Sequence, residues 1–243
     1  MSLGADWEHL GGDELAIIDA ARMTREFHPG ETLFHEGAPC AGLYCIEDGL
    51  VCTRKMDSSG NAILLRLNYA GDLLGHCAVL AGAEYKVTAE ALEPTRACFI
   101  DTATVRALLG RSTGLALNLL QRLAADLDDA EEQVLRVTTL PVRARVAHLL
   151  LVLKDRYGQT GSNGGFRLRL PLSRQDMASM IGIRPESMSR TIRGLQADGV
   201  ARFSGRVVHV PTTSRLRREL SSGGLDGPGC ATPRPAEMIQ GQL

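Results

Sequence analysis

Residues 113–137 read TGLALNLLQRLAADLDDAEEQVLRV, and the rest of the chain is organised around this stretch. Small or apolar side chains recur in it at alternating steps of three and four: Thr113, Ala116, Leu120, Leu123, Leu127, Ala130, Val134 and Val137. This spacing is typical of the apolar seam between two packed helices, although an amphipathic helix on its own domain has a similar period. Because the seam is long and separates halves of opposite charge, we predict a parallel dimer helix. Its predicted interface consists of Leu120, Leu123, Leu127, Ala130, Val134 and Val137.

The two flanking halves carry opposite charge, although the net charge of the 243-residue chain is only −1. Residues 140–218 contain fifteen Lys or Arg and four Asp or Glu, a surplus of +11, and the remaining residues sum to −12. A solvated charged face explains a few extra charges, but a surplus of this size in one segment favours a polyanionic partner. We therefore predict that the basic half binds nucleic acid. The length leaves room for two domains of ordinary size.

The composition also narrows the class of protein. The first residues, Met-Ser-Leu-Gly-Ala-Asp, lack the basic flank and apolar core of a signal peptide. No apolar run reaches the roughly 18 residues that cross a bilayer, so we expect a cytoplasmic protein without a membrane partner. Most of the cysteines are then expected to be free thiols: Cys40, Cys45, Cys52, Cys77, Cys98 and Cys230. No nucleophile–base pair and no metal-ligand spacing stands out, so we do not expect an enzyme.

The acidic half is predicted to contain a short helix followed by strands. Residues 11–26 have the apolar spacing of an amphipathic helix, with Leu15, Ile18 and Ala21 inward. Beyond them, short apolar runs alternate with glycines, which predicts strands that include residues 43–46, 50–53, 63–67 and 97–100. Strands at turn-sized intervals are typical of an antiparallel barrel or jelly roll. The helical part then begins at Asp101 with an Asp or Thr cap.

The basic half contains the pattern of a helix-turn-helix over residues 172–198. Ser173 and Asp176 predict a capping box, Gly182 a turn, and Pro185 the first position of a second helix. Apolar residues mark the inward faces of the two helices: Met177, Ala178, Ile181, Met188, Ile192 and Leu195. Other side chains of the second helix are expected to face outward: Glu186, Ser187, Ser189, Arg190 and Arg193.

Three further segments complete a winged domain. Residues 142–153 have an apolar face of helical period, and residues 166–170 alternate with the period of a strand. Residues 200–203 and 207–210 flank a turn around Gly205, which predicts the hairpin of a wing.

These motifs resemble those of the CRP/FNR family of transcription regulators over residues 10–212. The similar stretches are 29–34 (PGETLF), 36–37 (EG), 43–49 (LYCIEDG), 70–75 (AGDLLG), 172–178 (LSRQDMA) and 185–190 (PESMSR). The resemblance implies an α+β fold: an N-terminal cyclic-nucleotide-binding-type β-roll (a jelly roll), a long dimerisation helix and a C-terminal winged helix-turn-helix. The corresponding boundaries are 1–110 for the sensor roll with its short N-terminal helix, 111–140 for the dimerisation helix, 141–218 for the DNA-binding domain and 219–243 for a disordered tail.

The resemblance also implies partners and reading residues. Members of the family bind palindromic promoter DNA as homodimers and usually activate transcription by touching RNA polymerase. The positions of Glu186, Ser189 and Arg190 resemble the FNR branch and imply half-sites similar to TTGAT, although Glu186 and Arg190 could instead form a salt bridge. The predicted DNA-binding residues are Ser173, Arg174, Glu186, Ser187, Ser189, Arg190, Arg193 and Arg206, of which Arg174 and the wing are expected near phosphates.

The resemblance leaves the signal open. A cyclic-AMP-binding roll presents Gly-Glu for the ribose and Arg-Ser for the phosphate, whereas the corresponding positions here read Gly75-His76 and AEYKVT (83–88). Cyclic AMP is therefore not expected, although Lys86 could hold a phosphate as a point charge. An iron–sulfur cluster normally needs four thiolates, and here Cys98 falls at the family's internal ligand position while no cysteine precedes Cys40.

Haem bound through Gly75-His76-Cys77, a thiol-redox switch and control without an effector are further possibilities for the signal. The candidate effector-binding residues are Gly75, His76, Cys77, Lys86, Thr88 and Cys98. Two alternatives to an FNR-like regulator also stay open. One is a cyclic-nucleotide-responsive CRP-like regulator, and the other is a ligand-binding module whose basic domain binds another polyanion, such as RNA.

Overall fold

The computed structural model describes residues 11–161 and 164–221, which form two compact units. The first unit runs to Asp128 and the second begins at Asp129. In these described ranges, every helix is too short or too polar to span a bilayer.

The first unit consists of short strands with helices before, among and after them. In chain order its elements are α1 (Gly12–Ala21), β1 (Met23–Phe27), β2 (Thr32–Phe34), β3 (Gly42–Asp48), β4 (Leu50–Met56), β5 (Ala62–Tyr69), β6 (Leu73–Leu74), α2 (His76–Ala81), β7 (Thr88–Ala91), β8 (Thr95–Asp101), α3 (Thr102–Leu109) and α4 (Thr113–Thr139), the last of which continues into the second unit. The strands form two antiparallel sheets, in the orders β1-β8-β3-β6 and β2-β7-β4-β5. The β-roll expected from the glycine-separated apolar runs is therefore confirmed.

Strand β3 is buried on both faces. Its Tyr44 and Ile46 lie in a core that residues of both sheets share. Leu43 and Cys45 of the same strand lie in a second core, which α1, α2, α3 and α4 cover. Because successive side chains of a strand point to opposite faces, one strand supplies both cores. This double burial explains why the segment is a continuous apolar run rather than an alternating one.

The helix predicted over residues 11–26 is wrong for its last five residues, 22–26. Helix α1 ends at Ala21, and the following residues form β1, in which Met23 lies opposite Phe99 of β8. Ile18 is buried, as expected. Pairing with the backbone of β8 satisfies the hydrogen-bonding groups of this segment, and such tertiary pairing outweighs a local helical pattern.

Helix α2 was not predicted from the sequence. It has only six residues, too few to show a helical period. The preceding Gly75 has a φ of +85°, and a Cβ added there would lie 2.9 Å from the carbonyl oxygen of Gly42. Only glycine fits this left-handed and crowded turn, which starts α2 at His76.

The second unit is a small winged domain. After α4 its elements are α5 (Val142–Tyr157), β9 (Gly158–Thr160), β10 (Phe166–Arg169), α6 (Arg174–Met180), α7 (Pro185–Ala197), β11 (Arg202–Ser204), β12 (Val207–Val210) and α8 (Thr213–Ser221). The strands pair in the order β11-β12-β10-β9. Helix α8 continues three residues into the segment predicted as a tail, and residues 222–243 of that segment lie outside the described residues.

Candidate nucleic-acid interface and effector site

Helices α6 and α7 form the helix-turn-helix that the sequence predicts. The Ser173 hydroxyl oxygen accepts a hydrogen bond from the Asp176 backbone N–H (3.1 Å), and Asp176 Oδ2 accepts one from the Ser173 backbone N–H (3.0 Å). This capping box starts α6. In the turn, Gly182 has a φ of +67°, which favours glycine. The inward side chains of the pair are buried: Met177, Ala178, Ile181, Met188, Ile192 and Leu195.

The outward face of α7 carries charge that has no partner in the described protein. Glu186, Arg190 and Arg193 are exposed, and Ser187 and Ser189 are half-buried. Within residues 11–161 and 164–221, no ion pair involves any of the three charged side chains. The Glu186–Arg190 salt bridge that the spacing allows is not formed, so both groups are available to a ligand.

Two further predicted contact residues are also exposed. Arg174 is the first residue of α6, and Arg206 lies in the turn between β11 and β12. Ser173 differs from them, because its hydroxyl donates a hydrogen bond to Asp176 Oδ2 at 2.6 Å in addition to capping α6. The Ser173 hydroxyl is therefore already used inside the protein.

Part of the basic surplus is neutralised within the second unit. Arg143 forms ion pairs with Asp198 at 2.6 Å and with Glu219 at 2.7 Å. Arg145 donates a hydrogen bond to the carbonyl oxygen of Ile181 at 2.7 Å, which holds the end of α6. These arginines stabilise the domain, and the exposed arginines of α6, α7 and the wing are left for a polyanion.

Helix α4 presents one face to the β-roll. Leu115 and Leu119 are buried in the core that the helices cover. Further along the same face, Arg122 pairs with Asp72, which follows β5. Asp126, one turn later, pairs with two basic side chains of the roll. The period of these four positions is that of one helix face.

The apolar side chains on the other faces of α4 are open to solvent. Leu117 is 53% exposed, Leu120 57%, Leu127 59% and Val134 64%. Of the six predicted interface residues, Leu120, Leu127, Ala130 and Val134 are exposed, whereas Leu123 and Val137 are half-buried. The exposed row also includes Leu117, three residues before Leu120. The predicted interface did not include Leu117.

The candidate effector residues His76 and Cys77 lie together with an acid from α4. Nε2 of His76 is 2.9 Å from Oδ2 of Asp126, and the Arg66 guanidinium pairs with Oδ1 of the same carboxylate. The exposed Cys77 is close enough that one ligand atom from each of His76, Cys77 and Asp126 lies within 4.8 Å of the others. No local signal in the sequence relates Asp126 to a residue 50 positions earlier.

His76 is a buried cation in this arrangement. His76 is 5% exposed, and within the described part of the chain its Nδ1 has no hydrogen-bond partner. Burial alone lowers the pKa of His76, but the hydrogen bond to Asp126 and the interaction with the nearby Cys77 outweigh it and raise the pKa to about 9. Burial raises the pKa of Asp126, whereas its hydrogen bonds to His76 and Arg66 bring the net pKa below the usual value. The group is therefore a carboxylate held between two cations.

The other candidate effector residues have different surroundings. Gly75 shapes the turn before α2, Lys86 is exposed, and Thr88 Oγ1 accepts a hydrogen bond from the Glu36 backbone N–H at 3.0 Å. The His76 imidazole already pairs with a carboxylate, and the Thr88 hydroxyl is engaged by the backbone.

Cys98 is a buried thiol of the helix-covered core. It lies directly opposite Cys45 in the pairing of β8 with β3, and both are buried. Burial raises the pKa of Cys98 to about 11. Among the residues that the structure describes, no cluster of three His, Cys, Asp or Glu ligands includes Cys98. The described cysteines therefore do not fit an iron–sulfur cluster.

Comparison with protein families gives two matches. The family model described as "Cyclic nucleotide-binding domain" matches residues 24–112, and the one described as "Crp-like helix-turn-helix domain" matches residues 144–219. The first match falls in the first compact unit and the second match in the second unit.

Individual proteins match over most of the chain. Transcriptional activator protein FnrA of Stutzerimonas stutzeri is 25% identical over 214 residues, which are 87% of this chain and 85% of that protein. The fumarate and nitrate reduction regulatory protein of Escherichia coli K12 is 25% identical over 208 residues, 85% of this chain and 82% of that protein. The solved structure of FixK2 from Bradyrhizobium japonicum is 25% identical, with a TM-score of 0.67, and the match covers 81% of this chain and 96% of that one.

Proposed function

Because the chain belongs to the CRP/FNR family of transcription regulators, we propose that it is a homodimer that reads a palindrome with TTGAT-type half-sites. Like its relatives, it is a DNA-binding regulator and not an enzyme. The observation that carries the proposal is the outward face of α7. There Glu186 and Arg190 are exposed and form no ion pair with any described residue, on a helix whose inner face is buried.

The chemistry of these two side chains matches one base pair of the half-site. A guanidinium such as that of Arg190 can donate two hydrogen bonds to O6 and N7 of guanine, and a carboxylate such as that of Glu186 can accept from N4 of cytosine. TTGAT contains a single G·C pair, which offers both partners. Ser187 and Ser189 supply hydroxyls for neighbouring base edges, and Arg193 extends the contact surface.

Arg174 and Arg206 have a different role in the proposal. Exposed arginines outside the recognition helix bind phosphates, which positions a protein on the duplex without reading its sequence. Their contribution to affinity is electrostatic and decreases as salt increases.

The exposed row on α4 supports the homodimer. Leu120, Leu127 and Val134 are each more than half exposed to water, which is unfavourable for aliphatic side chains. The same row of a second copy would cover these side chains. Twofold symmetry then presents two α7 helices to half-sites about 34 Å apart on one face of DNA.

The β-roll would receive the signal, which would be a redox, gas or metabolic signal. RNA polymerase is the partner that membership in this family implies at the promoter. A cyclic nucleotide is not included, because the His76 and Thr88 side chains are already engaged within the roll.

Fluorescence anisotropy with the full chain tests the proposal. A labelled duplex that contains TTGAT and its inverted repeat is compared with a scrambled duplex of equal composition at moderate salt. We expect affinity for the palindrome at least about tenfold higher than for the scrambled duplex. Arg111→Ala, which removes an exposed arginine of the first unit, serves as the control and should not change this ratio. Equal affinity for the two duplexes would contradict the proposal.

A further inference from the structure

We propose that His76, Cys77 and Asp126 bind one divalent transition-metal ion of the zinc type, in a site that joins α2 to α4. An imidazole nitrogen, a thiol sulfur and a carboxylate oxygen lie within 4.8 Å of one another there. In the described part of the chain, no other three His, Cys, Asp or Glu side chains form such a group. Ion binding by the first unit does not depend on the DNA-reading function proposed above, so the two proposals can fail separately.

The spacing of the three side chains suits a tetrahedral ion. Zinc binds nitrogen and oxygen at about 2.0 Å and thiolate sulfur at about 2.3 Å, so neighbouring ligand atoms are about 3.3–3.8 Å apart. Nε2 of His76 and Oδ2 of Asp126 are now 2.9 Å apart, and small side-chain rotations reach the required separation. The exposed position of Cys77 leaves a fourth position for water.

The ligand types select the class of ion. Thiolate and imidazole favour ions such as Zn²⁺ and Co²⁺ over Mg²⁺ and Ca²⁺, which favour oxygen ligands. His76 is buried, so its Nε2 is held in place beside Oδ2 of Asp126. The Arg66 guanidinium binds Oδ1 of Asp126 and leaves Oδ2 for the ion, in the way that outer contacts orient ligating carboxylates.

The exchange of protons for the ion is balanced. The ion replaces the proton between His76 and Asp126 and the thiol proton of Cys77, and both protons are released to solvent. One divalent cation in exchange for two protons leaves the net charge of the site unchanged. Because binding adds no net positive charge to the site, the neighbouring Arg66 guanidinium does not meet additional repulsion.

Titration of the metal-free full chain with Co²⁺ tests the site. We expect one bound ion per chain, a thiolate-to-cobalt charge-transfer absorption band, displacement by Zn²⁺ and no competition from Mg²⁺. Cys77→Ser, His76→Gln and Asp126→Asn should each weaken binding by about 10–100-fold. Cys40→Ser and Asp128→Asn are the matched controls, and Cys230→Ser tests a thiol outside the described residues. The assignment would be overturned if the first three variants bound Co²⁺ as tightly as the unaltered chain. A Soret band in the purified protein, which shows haem, would overturn it as well.

A second measurement on the unaltered protein covers variants that fail to fold. Cys77 is exposed, so iodoacetamide should label it rapidly in the metal-free chain. Saturating Zn²⁺ should slow this labelling at least about tenfold, as read by peptide mass spectrometry, without slowing that of Cys40. Equal labelling of Cys77 with and without Zn²⁺ counts against the site.

Discussion

Nε2 of His76 lies 2.9 Å from Oδ2 of Asp126, and this contact joins the short helix α2 of the β-roll to the long helix α4. Arg66 of β5 binds the other oxygen of the same carboxylate. Asp126 thus neutralises two cations at once, the guanidinium of Arg66 and the imidazolium of His76, a residue that is 5% exposed. The stability of the first unit should depend on this carboxylate and on the protonation of His76.

We predict that the metal-free protein loses stability as the pH rises through about 9. The pKa of His76 is raised to about 9 in the folded chain, from an ordinary value of 6.5. A raised pKa means that folding favours the protonated form, so the stabilisation is complete below about pH 6.5 and is lost as the pH rises through 9. Thermal unfolding followed by circular dichroism at several pH values measures this. His76→Gln should flatten the profile over this range, and a wild-type profile equally flat would refute the prediction.

Asp126→Asn should reduce the free energy of unfolding by about 1–3 kcal/mol, because it leaves two cations without their counter-charge. Denaturant unfolding of the full chain provides the measurement. Asp128→Asn is the control on the same helix, since Asp128 is exposed, and it should change stability far less. Similar losses in the two variants would mean that the Asp126 contacts contribute little.

Leu127→Glu should convert the proposed dimer to monomers. The substitution places a carboxylate in the apolar row of α4 that a second copy would cover. Burial of unpaired carboxylates is unfavourable, so the two rows should no longer pack together. We expect the dimer dissociation constant, from sedimentation velocity, to rise by about 100-fold or more. Leu65→Glu is the matched control, because Leu65 is a 47%-exposed leucine of β5. A Leu127→Glu protein that stays dimeric would place the interface elsewhere.

Arg190→Ala and Arg206→Ala should have different effects on DNA binding. Loss of Arg190 should cost about 1–3 kcal/mol of discrimination at the G·C pair of the half-site. Loss of Arg206 should weaken binding to every sequence alike and reduce the salt dependence by about one unit of slope. Anisotropy titrations over a salt series, with the half-site and its single-base variants, separate the two. Equal selectivity in Arg190→Ala and wild type would show that Arg190 contacts only phosphate.

Ser173→Ala should destabilise the second unit without changing which base is preferred. Its hydroxyl caps α6, and loss of such a cap costs about 0.5–2 kcal/mol. Ser189→Ala is the complementary variant, since Ser189 lies on α7 and should affect base preference more than stability. Unfolding and binding measured on both proteins test the assignment. A Ser173→Ala protein of unchanged stability but altered base preference would return Ser173 to the reading surface.

Most of the reading domain follows from local sequence signals. The Ser173–Asp176 capping box, the glycine at 182 and the buried stripe of α7 each depend on residues within a few positions of one another. Short-range backbone and capping preferences are sufficient to define such elements. The outward position of Glu186 and Arg190 follows directly from that stripe.

The effector region is predicted less well because its contacts are distant in sequence. The pairing of β1 with β8 and the His76–Asp126 contact join residues 50 or more positions apart. The sequence singles out His76 and Cys77 but gives no reason to join them to Asp126. The sequence is similarly ambiguous about which face of α4 forms the interface. A step of three or of four from position 113 reaches 116 or 117, and the same steps from position 120 reach 123 or 124. In the structure Leu123 is half-buried, whereas Leu117 is exposed.

Asp126 and Leu127 are neighbours on α4, and their side chains point about 100° apart around the helix axis. The first is held by Arg66 and His76, and the second lies on the apolar row that the proposed dimer would cover. Any rotation of α4 about its axis that breaks the carboxylate contacts turns Leu127 through the same angle. A rotation of α4 in the roll would therefore also move the surface that the proposed dimer covers.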